Sequence, residues 1–251
     1  METKKQTEIP PELIKILKKA TPVTVLTGAG ISAESGLKTF RDSQDGLWSQ
    51  YRPEDLATPQ AFVRDPKLVS DWYAMRRGKV AAASPNPGHH ALVKMEKHIP
   101  EFTLITQNVD GYHIQAGSKK VLELHGNIQR ARCFEGCGVV DSWEENDPIP
   151  RCPKCNAYLR PDVVWFGETL PHKTLEDALH AAQNCQIFLS IGTSALVQPA
   201  ASLAHTASNE GSVIVEINLD PTPLTLQADF ALHGKSGEIL PTLVRDAWNP
   251  D

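Results

Sequence analysis

Residues 23–42 read VTVLTGAGISAESGLKTFRD, and this stretch decides how the rest of the chain is interpreted. The run VTVLT is typical of a buried β-strand, and Gly28 and Gly30 follow it directly. The small residues at 31–36 then suit the start of a helix. A strand, a glycine turn and a helix N-terminus together present unpaired N–H groups, which suit a pyrophosphate. The stretch therefore predicts a nucleotide-binding turn after the first strand.

The glycine spacing departs from the usual dinucleotide-binding pattern G-x-G-x-x-G. Ala33 stands where the third glycine belongs, and the next glycine is Gly36. No acidic residue clearly ends a second strand about 20 residues on, where it would bind a ribose. The two glycines alone fit an ordinary tight turn between a strand and a helix equally well. The charge pair of Arg41 and Asp42, after Phe40, favours a phosphate-bearing ligand.

The composition limits the class of protein. The chain has 251 residues, 41% of them hydrophobic, which suits one large domain or a main domain with a small insert. Its net charge of −5 argues against a general nucleic-acid or membrane-surface binder. No apolar run reaches the roughly 18 residues of a membrane span, and the N-terminus lacks a hydrophobic signal region. We therefore expect a soluble, cytoplasmic protein, with a monomer as the default.

Four of the five cysteines form two close pairs, Cys133 with Cys137 and Cys152 with Cys155. This arrangement is typical of a zinc ribbon, in which two knuckles supply four thiolates to one tetrahedral Zn²⁺. Four cysteine ligands leave no open position, so the predicted zinc is structural rather than catalytic. The first knuckle is one residue longer than the commonest C-x2-C. The fifth cysteine, Cys185, lies in an apolar stretch and is expected to be buried.

Polar residues follow four predicted strands, at 102–106, 121–124, 186–191 and 213–217. The residues concerned are Gln107–Asp110, His125, Gly192–Ser194 and Asn218–Asp220. Open α/β sheets bind ligands at the carboxyl ends of their strands, which is where these residues lie. Strands that alternate with helices predict a doubly wound parallel sheet.

Three other features each allow two interpretations. His125 is either structural or a general base, and the two roles are about even from the sequence alone. Tyr73 and Arg76 share one face of a predicted helix. They are either a half-buried phenol and a solvated guanidinium, which the spacing alone favours, or a pair that binds a carboxylate. The extended residues 164–167 either belong to the core or pair with an incoming peptide strand.

The motifs GAGISAESG, TFRD, TQNVD, LHG, VVWFGE, GTS and INLD, with the two cysteine pairs, resemble those of the sirtuins in the same order. Sirtuins are the Sir2 family of NAD-dependent protein-lysine deacylases, and they carry this variant glycine loop. The resemblance runs from about Pro22 to Val244. It implies a Rossmann-like NAD-binding domain at 1–125 and 160–251. It also implies a zinc-ribbon insert at 126–159, with a second small-domain segment around 37–83.

The resemblance implies a set of binding residues. Those expected at the NAD phosphates and nearby ribose are Gly28, Ala29, Gly30, Ser32, Glu34, Phe40 and Arg41. Those expected at the nicotinamide are Gln107, Asn108, Val109 and Asp110. Those expected at the adenosine end are Gly192, Thr193, Ser194, Asn218, Leu219, Asp220 and Ser236. Val164, Trp165, Phe166 and Gly167 are expected to pair with the substrate backbone.

The resemblance also implies a mechanism. The acyl oxygen of a modified lysine attacks the nicotinamide ribose of NAD, and nicotinamide leaves. His125 then acts as general base on a ribose hydroxyl, which attacks the imidate carbon, and water completes the reaction to give free lysine, nicotinamide and O-acyl-ADP-ribose. The partners are accordingly proteins or peptides that carry acylated lysine, and no nucleic acid or membrane is expected.

The resemblance extends to the choice of acyl group. In the class III branch, a Tyr-x-x-Arg motif like Tyr73 and Arg76 binds the distal carboxylate of succinyl- or malonyl-lysine. A small residue such as Ala57 leaves room for the longer group. Removal of succinyl and malonyl groups, with some deacetylation, is therefore implied. The alternatives are a predominantly deacetylating enzyme, an NAD-dependent oxidoreductase, a mono-ADP-ribosyltransferase and a non-enzymatic zinc-ribbon module.

Overall fold

The structure is a computed structural model that describes residues 8–37, 51–140, 143 and 149–248. Within these ranges the helices are α1 (Pro11–Leu17), α2 (Ala29–Ala33), α3 (Pro53–Leu56), α4 (Pro59–Arg64), α5 (Pro66–Ala81), α6 (Pro87–His98), α7 (Tyr112–Ala116), α8 (His172–Asn184), α9 (Ser202–Asn209) and α10 (Ser236–Trp248). The strands are β1 (Val23–Thr27), β2 (Phe102–Thr106), β3 (Val121–Glu123), β4 (Gly126–Cys133), β5 (Val139–Val140), β6 (Leu159–Val163), β7 (Ile187–Ile191), β8 (Val213–Asn218) and β9 (Phe230–His233). None of the described helices is long and apolar enough to cross a membrane.

Six strands form a parallel sheet in the order β3-β2-β1-β7-β8-β9. Val23 of β1 is level with Phe102 of β2 on one side and with Ile187 of β7 on the other. From β1 the chain moves outward to β2 and β3, and later returns to the other side of β1 at β7. This reversal creates a crevice beyond the carboxyl ends of β1 and β7, where open α/β sheets bind ligands. The doubly wound parallel sheet predicted from the sequence is confirmed.

Helices cover both faces of the parallel sheet. Val25 of β1 packs in a cluster with α1, α6 and α10, whereas its neighbour Leu26 packs in a cluster with α8 and α9. Successive residues of a strand point to opposite faces, so both residues become core. All five positions of β1, β2 and β7 are buried for this reason. The sheet is thus a rigid support for the turns that follow its strands.

A second, smaller sheet has the strand order β5-β4-β6, and both of its strand pairs are antiparallel. β4 begins at Gly126, directly after His125, and pairs with β6 as far as Val163. Helices α4 and α5 pack against this sheet in one apolar cluster that includes Phe62 and Trp165. The small sheet and these helices therefore share a core beside the parallel sheet. The division into domains at the stated boundaries stays a prediction.

Candidate functional site

The turns after β1 and β7 touch each other through their backbones. Gly28 N–H donates to Ile191 O at 2.9 Å, and Gly30 N–H donates to Gly192 O at 2.8 Å. A Cβ on Gly30 would lie 2.7 Å from Gly192 Cα, so no larger residue fits there. The sequence suggested that these N–H groups are unpaired, and that expectation is wrong for the two glycines. Because these glycines have no side chains, the two turns can approach each other closely at the crevice.

Asn108 and Asp110 join the turn after β2 to the turn after β1. Asn108 Nδ2 donates to Gly28 O at 3.0 Å and to Ser32 Oγ at 3.1 Å. Ser32 Oγ in turn donates to Asp110 Oδ2 at 2.7 Å, and Tyr112 N–H donates to Asp110 Oδ1. Burial raises the pKa of Asp110, although both of these bonds oppose the shift. The predicted cofactor-binding residues after β1 and β2 thus form one connected hydrogen-bond network.

Within the described part of the chain, one ring hydrogen bond fixes His125 to the same region. Its Nδ1 lies 2.9 Å from Gln107 O, and Gln107 N–H donates to Thr27 O. Because a carbonyl oxygen only accepts, Nδ1 carries the hydrogen and Nε2 of the neutral ring has a free lone pair. Burial lowers the pKa of His125, with the bond to Gln107 opposing the shift. The ring is therefore a neutral base whose available atom is Nε2.

The far side of the crevice is built from β7, β8 and α10. Asn218 Nδ2 donates to Thr193 O at 2.7 Å. Glu34 Oε1 accepts from Gly237 N–H at 2.8 Å and from Ser236 Oγ at 3.4 Å, across 202 residues of chain for Ser236. The Glu34 carboxylate thus lies at the N-terminus of α10, where the helix dipole stabilises a negative charge.

The remaining predicted cofactor residues are placed less tightly. Ala29 and Ser194 lie in the two turns that touch, and Leu219 and Asp220 are exposed after β8. Val109 packs against the apolar cluster beneath the small sheet. The predicted residues Phe40 and Arg41 lie outside the described residues.

Tyr73 is paired with a residue that is distant in the chain. Trp165 Nε1 lies 2.9 Å from Tyr73 Oη, and both side chains are buried. An indole N–H only donates, so Tyr73 Oη is the acceptor of this bond. Burial raises the pKa of Tyr73 well above its usual range, so the phenol keeps its hydrogen. Arg76 lies one helical turn further, with its Cζ 5.0 Å from the ring centre of Trp72.

The segment after β6 is anchored by three of its backbone N–H groups. Val164 N–H donates to His125 O at 2.9 Å, Trp165 N–H to Glu168 Oε2 at 2.8 Å and Phe166 N–H to Ala57 O at 2.9 Å. These three donors are therefore engaged within the chain. The Trp165 side chain is core, whereas 45% of Phe166 is exposed. The segment thus connects His125 to the helix that carries Tyr73.

The four paired cysteines lie together at one end of the small sheet. Their Sγ atoms all lie within 4.8 Å of one another, and those of Cys133 and Cys155 are 3.5 Å apart. Thiolates on a tetrahedral zinc, at about 2.3 Å each, lie about 3.8 Å apart. The longer first knuckle closes through Gly138, whose O accepts from Cys133 N–H at a positive φ of 107°. The donor set fits one structural zinc, as predicted.

The sequence profile described as the Sir2 family matches residues 28–199. The chain belongs to the Sir2 family. A Pyrococcus furiosus protein named NAD-dependent protein deacylase is 50% identical over 243 residues, which cover 94% of this sirtuin and 96% of that protein. An Aquifex aeolicus protein of the same name is 50% identical over 218 residues, or 85% of this chain and 90% of its own.

Solved sirtuin structures agree in fold with this chain. A structure described as a Sir2 homolog–NAD complex has a TM-score of 0.90 at 46% identity, and the match covers 96% of this chain and 94% of that one. A structure described as Sir2–p53 peptide–NAD⁺ has a TM-score of 0.83 at 30% identity, covering 95% and 98%. The family and the fold class that the sequence predicted are confirmed.

Several side-chain contacts near the site of this sirtuin were not predicted from the sequence. Thr27 Oγ1 lies 2.9 Å from His113 Nε2, directly beneath the β1 turn. Glu123 binds the side chains of Asn127 and Arg130 on the far side of His125. The only sequence signal for Glu123 was its place in a short predicted strand, two residues before His125. His89 caps α6 by accepting from Asn86 N–H.

Proposed function

We propose that this sirtuin is an NAD-dependent protein-lysine deacylase that removes succinyl and malonyl groups faster than acetyl groups. Its family membership and its relatives named NAD-dependent protein deacylase support the general activity. NAD supplies the ribose that takes over the acyl group and the nicotinamide that leaves. The preference among acyl groups is argued from Tyr73 and Arg76 below.

The touching turns after β1 and β7 are proposed to hold the dinucleotide. They lie at the point where the strand order reverses, which is where such folds bind nucleotides. Asn108 uses its Nδ2 on Gly28 O and Ser32, so its Oδ1 is left to accept from a carboxamide. Asp110, held by Ser32 and Tyr112, is proposed to lie beside it. The residues present thus fit the cofactor at its nicotinamide end.

His125 is proposed as the general base. Its Nε2 accepts a proton from a hydroxyl of the bound substrate, since Nδ1 already donates to Gln107 O. The low pKa that burial gives the ring keeps it neutral, and hence able to accept, at neutral pH. The neighbouring segment 164–167 is proposed to align the peptide. Because Val164, Trp165 and Phe166 use their N–H groups internally, an added strand would bind this segment mainly through its carbonyl oxygens and Gly167 N–H.

The observation that carries the acyl preference is the bond from Trp165 to Tyr73. This bond occupies Tyr73 Oη as an acceptor, so the hydroxyl hydrogen remains to be donated to another group. The guanidinium one turn away, on Arg76, is a second donor and carries a charge. A carboxylate accepts from both groups at once, whereas an acetyl methyl group accepts from neither. The pair therefore favours an acyl group that ends in a carboxylate.

The size of Ala57 supports the same acyl groups. Ala57 is 4% exposed and belongs to the apolar cluster that contains Tyr73 and Trp165. Its carbonyl is held by Phe166 N–H, so the residue has a fixed place beside the peptide segment. A methyl side chain at this place takes up less volume than a larger residue would.

The test replaces Arg76 by Ala and compares succinyl-, malonyl- and acetyl-lysine in one peptide by mass spectrometry. A hydrogen bond to a charged group contributes about 1.5–3 kcal/mol, which corresponds to about 10- to 150-fold in kcat/KM. We expect a loss of that size for succinyl and malonyl peptides, and a change within about twofold for acetyl. Arg77→Ala is the matched control, since Arg77 lies over the ring of Trp143 instead.

Each outcome distinguishes one alternative. An Arg76→Ala enzyme that keeps its preference for succinyl peptides would show that the pocket is assigned wrongly. A wild-type enzyme that prefers acetyl peptides would favour a deacetylase. Absence of NAD consumption with every acyl peptide would favour the non-enzymatic module.

A further inference from the structure

Glu123 forms a bridge across the turn that carries His125. It is the last residue of β3, and its side chain is only 11% exposed. Its Oε1 accepts from Asn127 Nδ2 at 2.7 Å, and its Oε2 accepts from Arg130 Nη1 at 2.8 Å. Both donors lie on β4, beyond His125 in the chain. One carboxylate therefore holds together the two sides of the turn on which the base sits.

Arg130 extends this bridge to the third strand involved. Its Nε donates to Asp162 Oδ2 of β6 at 3.0 Å, while its Nη1 binds Glu123. Burial opposes the shift, but the two carboxylates together raise the pKa of Arg130, so the guanidinium stays charged. A planar guanidinium with donors in fixed directions is suited to span two carboxylates, which a lysine is not. Glu123, Asn127, Arg130 and Asp162 are called the Glu123 bridge from here on.

The backbone of the turn is tied to the same strand as Asp162. Val164 N–H donates to His125 O, and a Cβ on Gly126 would lie 2.0 Å from Asp162 O. Beside this contact, a cavity of about 350 Å³ separates β3 from the small sheet. The charged bridge spans the junction at a place where apolar side chains do not fill it. The position of His125 thus depends on how the small sheet is held against β3.

We infer that Glu123 is a positioning residue for His125, which it holds, through the Glu123 bridge, in the orientation that lets Nε2 reach the reacting hydroxyl. The inference rests on the proposed role of His125 as the base. Among the described residues, the side-chain bonds of Glu123 go to Asn127 and Arg130 rather than to the ring of His125, so its effect comes through geometry. Burial and the bond to Gln107 set the pKa of His125, which is consistent with a positional role for Glu123.

The first test is Glu123→Gln, which keeps the side-chain shape and removes the charge. An amide presents an NH₂ group where Arg130 or Asn127 needs an acceptor, so the bridge opens. A displacement of about 1 Å in a catalytic group lowers the rate by about 100-fold, so we expect product formation to fall about 10- to 100-fold. Exchange of labelled nicotinamide precedes the base-dependent step and is expected to stay within about twofold of wild type.

The comparison with His125→Ala decides the interpretation. If both variants lose product formation and keep nicotinamide exchange, Glu123 acts through the base. Equal losses in exchange and product formation would reduce Glu123 to a structural residue, and unchanged product formation would also overturn the inference. If the wild-type protein itself shows neither exchange nor product, the proposed function fails instead, so the two failures are distinguishable.

A second measurement uses the protein without NAD or peptide. The ring resonances of His125 are assigned by their loss in His125→Ala and are followed against pH by ¹H–¹³C NMR. Release of the turn exposes the ring, so in Glu123→Gln its pKa is expected to rise toward the ordinary value of about 6.5. Asp177→Asn, which breaks an exposed ion pair with Lys173 on α8, is the control and should leave the resonance unchanged.

Arg130→Lys provides an independent variant if Glu123→Gln does not fold. It keeps the positive charge but cannot span Glu123 and Asp162 at their observed distances. We expect the same separation of nicotinamide exchange from product formation, together with a shifted His125 resonance. A normal product rate and an unshifted resonance in Arg130→Lys would contradict the inference.

Discussion

His125 shows how a single contact assigns chemistry to a side chain. Its bond to Gln107 O leaves Nε2 as the only ring nitrogen that can take a proton. The surroundings then set the pH range over which that atom is available, because burial favours the neutral ring. Both properties come from atoms outside the imidazole.

The pH dependence of the deacylation rate follows from this environment. A base must be neutral to act, and the pKa of His125 is lowered from its ordinary value near 6.5. We expect kcat to be level between about pH 7 and 8 and to fall only on the acid side, below about pH 6.5. Steady-state rates with a succinyl peptide between pH 5 and 8.5 check this.

Nicotinamide exchange measured over the same pH range is the control, because that step does not use His125. If kcat instead falls between pH 7 and 8 as the solution is acidified, the base is not shielded from solvent and the assignment is wrong.

At this scale, the sequence predicted residues that follow strands and missed contacts between distant segments. Asn108, Asp110 and His125 were predicted as site residues because each follows an apolar strand, where a polar cluster is unusual. The bond between Trp165 and Tyr73 joins residues 92 positions apart, and no local pattern encodes it. The sequence did not predict the Glu123 bridge for the same reason, because its residues come together only when three strands lie side by side.

At the scale of elements, the site depends on where strands end and how closely their turns approach. Gly126 is the clearest case, since it begins β4 with a φ of +80° and contacts the backbone of Asp162. Gly211 has nearly the same φ, +84°, but nothing lies within 4 Å of the place where its Cβ would be. A comparison of the two positions therefore separates what a larger residue costs through its backbone conformation from what it costs through the contact.

Replacing each of these glycines by Ala tests the contact. A left-handed conformation costs a non-glycine residue about 1–2 kcal/mol, which both variants should lose in free energy of unfolding. Gly126→Ala should lose about 1–3 kcal/mol more, because its Cβ would lie 2.0 Å from Asp162 O. Urea denaturation of both variants measures the difference. Equal losses in the two variants would mean that the close contact with Asp162 adds no cost for an alanine at position 126.

Elements with strong patterns were predicted closely, and weakly patterned ones were not. β1 and β2 begin and end at the residues expected, because each is a continuous apolar or β-branched run covered on both faces. The edge strand β9 has only four residues, and α9 is a helix of small and polar residues after Pro199. β9 is too short for a periodic signal, and the buried residues of α9, although helically spaced, are mostly alanines, which give a weak signal. Both are specified by packing on the sheet, which a local pattern does not reveal.

At the scale of the whole molecule, two buried histidines link stability to pH. Burial lowers the pKa of His89 to about 4 and that of His113 to about 3, and their ring centres are 4.9 Å apart. His89 Nδ1 accepts from Asn86 N–H, so protonation there would break the cap of α6. Within the described residues, His113 Nδ1 is buried and has no partner.

The stability of the protein should therefore fall on acidification. Both folded pKa values lie below the ordinary value near 6.5, so the unfolded chain binds more protons between about pH 6.5 and 4. Stability present above pH 6.5 is lost as the pH falls through this window, by up to about 1.4 kcal/mol per pH unit for each histidine.

Urea unfolding of wild type and His113→Asn from pH 7 to 5 checks this expectation. The variant should show a shallower dependence of unfolding free energy on pH, because one proton-linked group is gone. His172→Gln is the control, since that side chain is 89% exposed on α8 and should leave the slope unchanged. Parallel curves for wild type and His113→Asn would contradict the prediction.

The position of β1 in the sheet also has a consequence for how the chain is made. β1 pairs with β2, which precedes both cysteine pairs, but its other neighbour, β7, comes after them. A ribosome releases the chain from the N-terminus, so all four zinc ligands leave it before β7 does. The central strand therefore gains its second partner only after the metal-binding segment is complete. Parallel pairings between such distant segments form slowly, so metal capture has time to precede closure of the sheet.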